Sequence, residues 1–96
     1  MPVEKYAFTK GNVDKSPDAP GVYALYDNEE LIYYGQSEVS IRERLQSHQS
    51  GDEGRCTQQA THYSREEHSD PVSREVVLLR TFKLQTGRLP RCNERG

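Results

Sequence analysis

Apolar and polar positions alternate in two short stretches and then change period. Pro20-Gly21 opens a run through Tyr26 that is rich in aromatic and branched residues, the composition of a strand. Asp27 to Glu30 is a polar turn, and Leu31 to Gly35 forms a second apolar run. A three-residue loop at Asn28-Glu29-Glu30 pairs Asp27 with Leu31. Side chains alternate along strands, so that register puts Tyr23 and Tyr33 on one face. A slip of one residue would put Tyr34 there instead.

From residue 40 the period becomes helical. Ile41 and Leu45 define a buried stripe over residues 40–49, with Arg44 and His48 inside or beside it. Arg42 projects toward solvent, so the phase selects Arg44 as the inward arginine. Ser50-Gly51 ends this helix. Asp70-Pro71 starts a second one, an N-cap followed by proline, and it runs to about Thr86 with Gly87 just beyond. Its apolar stripe reads Val72, Val76, Leu79 and Phe82, with Glu75 lying between Leu79 and Phe82 on the helical wheel. A carboxylate there is costly unless it is paired, hydrogen-bonded or bound to a metal. Thr61-His62-Tyr63 begins a third strand running toward Glu67. Residues 1–19 read as an irregular lead-in and Leu89 to Asn93 as a closing extended segment.

Ninety-six residues without internal repeats or a linker make one domain, residues 1–96, with a small core. No apolar run is long enough for a membrane span or a signal segment, which makes a cytoplasmic setting the expectation. Cys56 and Cys92 fit no secreted scaffold and are expected to be separate reduced thiols. The net charge of −2 argues mildly against a strong non-specific nucleic-acid binder. Its distribution softens that. Residues 72–96 carry Arg74, Arg80, Lys83, Arg88, Arg91 and Arg95 against Glu75 and Glu94. This basic stretch suits a phosphate backbone or a solvated helix face about equally.

Taken in order, these residues resemble the GIY-YIG nuclease family. Gly21-Val22-Tyr23 fits its first motif, and Tyr33-Tyr34-Gly35 its second, with Tyr in place of the usual branched residue. Gln36-Ser37 matches a common continuation. Arg44 with His48 fits the family's helix arginine and the His or Tyr four residues on. Glu75 fits its metal-binding glutamate, and Pro90-Arg91-Cys92-Asn93 its closing Pro-x-x-Asn. Each tripeptide alone is weak, and the ordered set is specific. The resemblance covers about residues 20–93. It implies a compact α/β (α+β) fold, a small antiparallel three-stranded sheet flanked by helices. It also implies hydrolysis of DNA phosphodiester bonds with one divalent ion, Mg2+ or Mn2+.

Phosphodiester hydrolysis needs a water nucleophile, stabilised phosphoryl oxygens and help for the leaving oxygen. On the resemblance, Glu75 holds the metal, with waters and the phosphate filling its other positions. The rival role for Glu75 is an ion pair with an arginine, Arg44 among the candidates. Arg44 suits a phosphate clamp because guanidinium contacts are bidentate. Tyr23, Tyr33 and His48 line the site, and either a tyrosine or His48 is the general base. The ordinary fate of a strand tyrosine is a half-buried sheet aromatic. Gln36, Ser37 and Asn93 are expected to contact substrate or support the site. Cys56, His62, His68 and Cys92 match no zinc spacing. The expected partner is DNA, with targeting left to a partner protein or fused domain. A DNA-binding module of the same fold with little cleavage is the alternative.

Overall fold

A computed structural model of the chain describes residues 4–93. Its elements in chain order are β1 (Tyr6–Ala7), α1 (Lys10–Asp14), β2 (Gly21–Asp27), β3 (Glu30–Ser37), α2 (Ile41–Ser50), α3 (Arg55–Gln58), β4 (His62–Glu67) and α4 (Pro71–Thr86). The α+β class stands, but the sheet has four antiparallel strands, ordered β1-β4-β2-β3, rather than three. The extra strand comes from the supposed lead-in. Tyr6 and Ala7 pair with Tyr63 and His62, and two residues are too few to leave a periodic signature. The lead-in also contains α1, capped by Thr9, whose side chain accepts from the Asn12 amide.

The hairpin register holds through its body: Tyr23 faces Gly35 and Leu25 faces Tyr33. The turn is tighter than expected. Asp27 pairs with Glu30 and Tyr26 with Leu31, and a bulge between Leu25 and Tyr26 absorbs the difference. Asn28 takes the left-handed backbone (φ 56°) that the two-residue turn requires.

One face of the sheet carries Tyr23, Leu25, Tyr33 and Tyr63. With Val13 of α1 and Ile41 and Leu45 of α2, they form most of the core. The other face lies under α4, where Tyr34 meets Phe82 edge-on and Arg74 bonds Glu66 at 2.9 Å. The helix α2 begins at Ser40, whose hydroxyl accepts from Glu43 N–H, and ends on left-handed Gly51.

Two expectations are corrected here. The apolar stripe of α4 is inward only in part: Leu79 and Phe82 are half-buried, but Val72 and Val76 are exposed, and Pro71 and Leu78 are the buried positions. The helix packs through the stripe that includes Glu75 and Phe82. A wheel drawn through the apolar residues misses a contact face built partly of polar ones. The cysteines are not separate thiols either: Cys56 and Cys92 form a disulfide. The chain after α4 folds back, Cys92 N–H donates to Ile32 O on β3 at 2.8 Å, and the two Cα atoms come within 5.7 Å. That return is a tertiary event that cysteine spacing does not report. Among the described residues no helix is long and apolar enough to cross a membrane. Arg95 and Glu94 of the basic stretch lie outside the described residues.

Candidate functional site

The two glycines that end and begin the hairpin motifs are there for proximity. A Cβ on Gly35 would overlap Tyr23 Cζ and Oη and lie 2.7 Å from Cε2. A Cβ on Gly21 would collide with Glu66 O and lie 2.6 Å from Ile41 Cδ1. Gly35 therefore lets the Tyr23 ring lie flat across the edge strand β3, and Gly21 lets α2 press on the sheet.

With the ring in that place, the Tyr23 hydroxyl is 2.7 Å from His48 Nε2. His48 sits one turn beyond Arg44 on α2 and is buried, as the helix phase requires. Its other nitrogen, Nδ1, is 2.7 Å from the hydroxyl of Thr57 on α3. Tyr33 closes the group, its ring edge-on to His48 at 5.1 Å and tilted against Tyr23 at 6.2 Å. Burial drives the Tyr23 phenol well above its ordinary pKa, and the opposing charge of Arg44 does not offset it. The phenol is therefore neutral, contrary to the depressed pKa that a standing phenolate base would need.

Arg44 reaches back along β3. Its Nη1 donates to Gln36 O at 3.3 Å, and its Nε lies 3.5 Å from Glu53 Oε2. That Nε is buried without a hydrogen-bond partner, a donor with unused capacity. Arg42 turns away, donating to Ser16 O at 2.9 Å. A groove of about 400 Å³ opens beside Arg44, with Gln36, Ser37 and Ser40 in its wall.

Glu75 comes from the opposite helix, α4. It is half buried, and burial raises its pKa while the Arg44 charge pulls it down. No ion pair joins it to Arg44, and among the described residues it has no ion pair or hydrogen bond at all. The closed Glu75–Arg44 pair considered from the sequence is absent. A lone carboxylate taken partly out of water is a fitting place for a cation. Among the described residues no three His, Cys, Asp or Glu side chains gather as a ready-made cage, so the protein would offer a single ligand.

The remaining sequence candidates are placed differently. Ser37 Oγ accepts from Val39 N–H and Ser40 N–H and builds the turn into α2. Asn93 accepts from Tyr34 N–H and donates to Tyr34 O, at 2.9 and 3.0 Å, and so braces β3 from its free edge. Gln36 lends its carbonyl to Arg44, while its own Oε1 is buried without a partner. Thr57 and Glu53 were not foreseen. Both lie in a stretch without periodicity, and nothing in their spacing marks them.

An antiparallel sheet thus carries an arginine–histidine helix on one face and a carboxylate helix on the other. The chain belongs to the GIY-YIG family: residues 19–83 match the GIY-YIG catalytic domain. Solved structures agree on the fold. The GIY-YIG N-terminal endonuclease domain of UvrC from Thermotoga maritima, bound to its catalytic divalent cation magnesium, matches with a TM-score of 0.63 at 17% identity, covering 86% of this chain and 92% of that one. An asparagine-to-alanine point mutant of the same domain, with its catalytic divalent cation, gives 0.66 at 18% identity, covering 90% and 94%. A tyrosine-to-phenylalanine point mutant with the cation gives 0.64 at 19% identity over the same shares. No curated protein matches the chain significantly by sequence.

Proposed function

We propose that this chain is a divalent-cation-dependent DNA endonuclease domain. The observation that supports the reading is a pair of groups with unused capacity on the two helices that flank the sheet. Glu75 is a half-buried carboxylate with no ion pair or hydrogen bond among the described residues, and the buried Arg44 Nε–H makes no hydrogen bond, with only the 3.5 Å ion pair to Glu53 beside it. A cation and a phosphate would satisfy both.

Arg44 clamps the phosphoryl oxygens, leaving Glu53 as substrate enters and strengthening its hold as negative charge grows in the transition state. Glu75 would hold one Mg2+ or Mn2+ ion, which would supply positive charge against the phosphoryl oxygens. Tyr23 and His48 act together as the base. Because burial keeps the phenol protonated, Tyr23 takes a proton from the attacking water only as its own passes to His48 Nε2, 2.7 Å away. Tyr33 shields this pair with its ring. Gln36, Ser37 and Asn93 hold β3 and the start of α2 in place.

The test is incubation of purified protein with labelled linear, nicked and branched DNA, with Mg2+, Mn2+ or EDTA. Cleavage with either cation and none in EDTA is expected. Equal activity in EDTA would overturn the cation assignment. Binding without cleavage of any substrate would leave a DNA-binding module.

A further inference from the structure

Thr57 is completely buried, and its hydroxyl has His48 Nδ1 as its hydrogen-bond partner at 2.7 Å. It sits on α3, a helix of four residues, too short to persist by itself. The fold goes to some length to hold it. Gly51 and Gly54 both take positive φ to turn the chain after α2. Cys56, the residue before Thr57, is tied to Cys92. Ala60 N–H closes on Thr57 O at 3.2 Å.

We propose that Thr57 is a positioning residue that fixes the tautomer of His48. This rests on the nuclease reading above and deepens it. Two arrangements satisfy the chain Tyr23–His48–Thr57. In one, Nδ1–H donates to Thr57 Oγ1 and the Nε2 lone pair accepts the Tyr23 O–H. In the other, Thr57 O–H donates to Nδ1 and Nε2–H donates to Tyr23 Oη. The phenol is by far the stronger acid of the two hydroxyls, so the lone pair facing Tyr23 gives the stronger bond. Only that first arrangement lets the Tyr23 proton move onto the imidazole when water is deprotonated. The partner of one ring nitrogen sets the state of the other. Thr57 supplies the acceptor that lets Nδ1 keep its proton in the buried site, so that Nε2 stays open toward Tyr23 without leaving an unpaired N–H behind. A purely space-filling role would be met equally by valine, which has the same shape and no hydroxyl.

The experiment compares wild type, Thr57→Val and Thr57→Ser. The readouts are ¹⁵N NMR of the His48 ring, kcat and KM for Mg2+-dependent cleavage of labelled DNA, and a melting curve. Wild type should show His48 protonated on Nδ1. Thr57→Val should lose that fixed tautomer and lower kcat by roughly 10–100-fold, the scale known for partners that orient metal-bound histidines, with KM little changed. Thr57→Ser should restore both. A valine variant that keeps the Nδ1–H tautomer, or loses kcat with the tautomer unchanged, would overturn the proposal. If wild type cleaves no DNA, the nuclease reading fails, while the imidazole spectrum still decides the role of Thr57. Should Thr57→Val not fold, Thr57→Ala carries the same readouts.

Discussion

Replacing Gly35 by alanine adds one methyl group and tests the geometry of the whole site. The added carbon would lie 2.7 Å from Tyr23 Cε2 and closer still to Cζ and Oη. Carbon–carbon contacts settle near ~3.5 Å, so ring and strand must part by roughly 1 Å. The ring has nowhere to go, because Tyr23 is fully buried between the sheet and α2. Overpacking of this kind costs about 1–3 kcal/mol, or roughly 5–20 °C in Tm for a domain of this size. The same displacement breaks the 2.7 Å bond to His48. A misplacement of ~1 Å in a reacting group lowers turnover by a factor on the order of 100. Backbone effects push the other way. Gly35 does not need a positive φ, so in the absence of a clash alanine would stabilise the strand by about 0.4–1 kcal/mol through the unfolded state. The sign of the Tm change therefore separates the two explanations. Gly11→Ala is the control, since nothing lies within 4 Å of its would-be Cβ; it should leave Tm unchanged or raised. The assays are thermal melting and Mg2+-dependent cleavage of labelled DNA. A Gly35→Ala protein that melts at or above wild type and cleaves normally would refute the packing argument.

Arg44→Ala should reduce cleavage by a factor on the order of 100 or more, the scale for removing a preorganised charge stabiliser, whereas Arg42→Ala, which loses its bond to Ser16 O, should leave kcat nearly unchanged. The reverse result would mean that the helix phase is wrong. Glu75→Gln should abolish cleavage yet keep or tighten DNA binding without metal, because a negative charge beside the phosphate is gone. Burial raises the Glu75 pKa in the folded state, so the ionised carboxylate destabilises the fold at neutral pH and the protonated one does not. The variant should accordingly melt higher than wild type at pH 7, with the gap closing as pH falls below the ordinary carboxylate range. Added Mg2+ should raise the Tm of wild type but not of the variant, and equal shifts in both would remove Glu75 as the ligand. Reducing the Cys56–Cys92 bond, 36 residues apart in sequence, should lower stability by up to about 4 kcal/mol through the freed unfolded chain. An unchanged melting curve in reductant would contradict a bridge between α3 and the segment after α4.

The elements visible in the sequence were those whose signal is local. Gly51 and Gly87 stop their helices in the left-handed conformation, and Asp70-Pro71 starts α4. The hairpin body and the α2 phase follow from periods of two and 3.6 residues, and with them came Tyr23, Tyr33, Arg44 and His48. What remained hidden depends on contacts between distant segments. The two-residue β1 is a strand only because β4 lies beside it. The inward face of α4 is set by the shape of the sheet beneath it, so Val72 and Val76 stay in solvent. Thr57 and Asn93 contribute single side chains from irregular backbone. Neither has a period to betray it, and the Pro-x-x-Asn likeness located Asn93 without revealing that its amide bonds the strand itself.

Asn93 has a consequence for how the molecule behaves among its copies. The strand β3 is the outer strand on its side of the sheet, and unpaired outer strands recruit other chains. Here the carboxamide of Asn93 occupies both the N–H and the C=O of Tyr34, and Cys92 N–H occupies Ile32 O. Two residues thus imitate a neighbouring strand where the hairpin would otherwise be adhesive. At the opposite border, β1 is two residues long and offers little to copy. The Tyr23–Tyr33 hairpin can therefore sit at the rim of the sheet with its outer strand already paired where it would otherwise recruit a second copy of the protein.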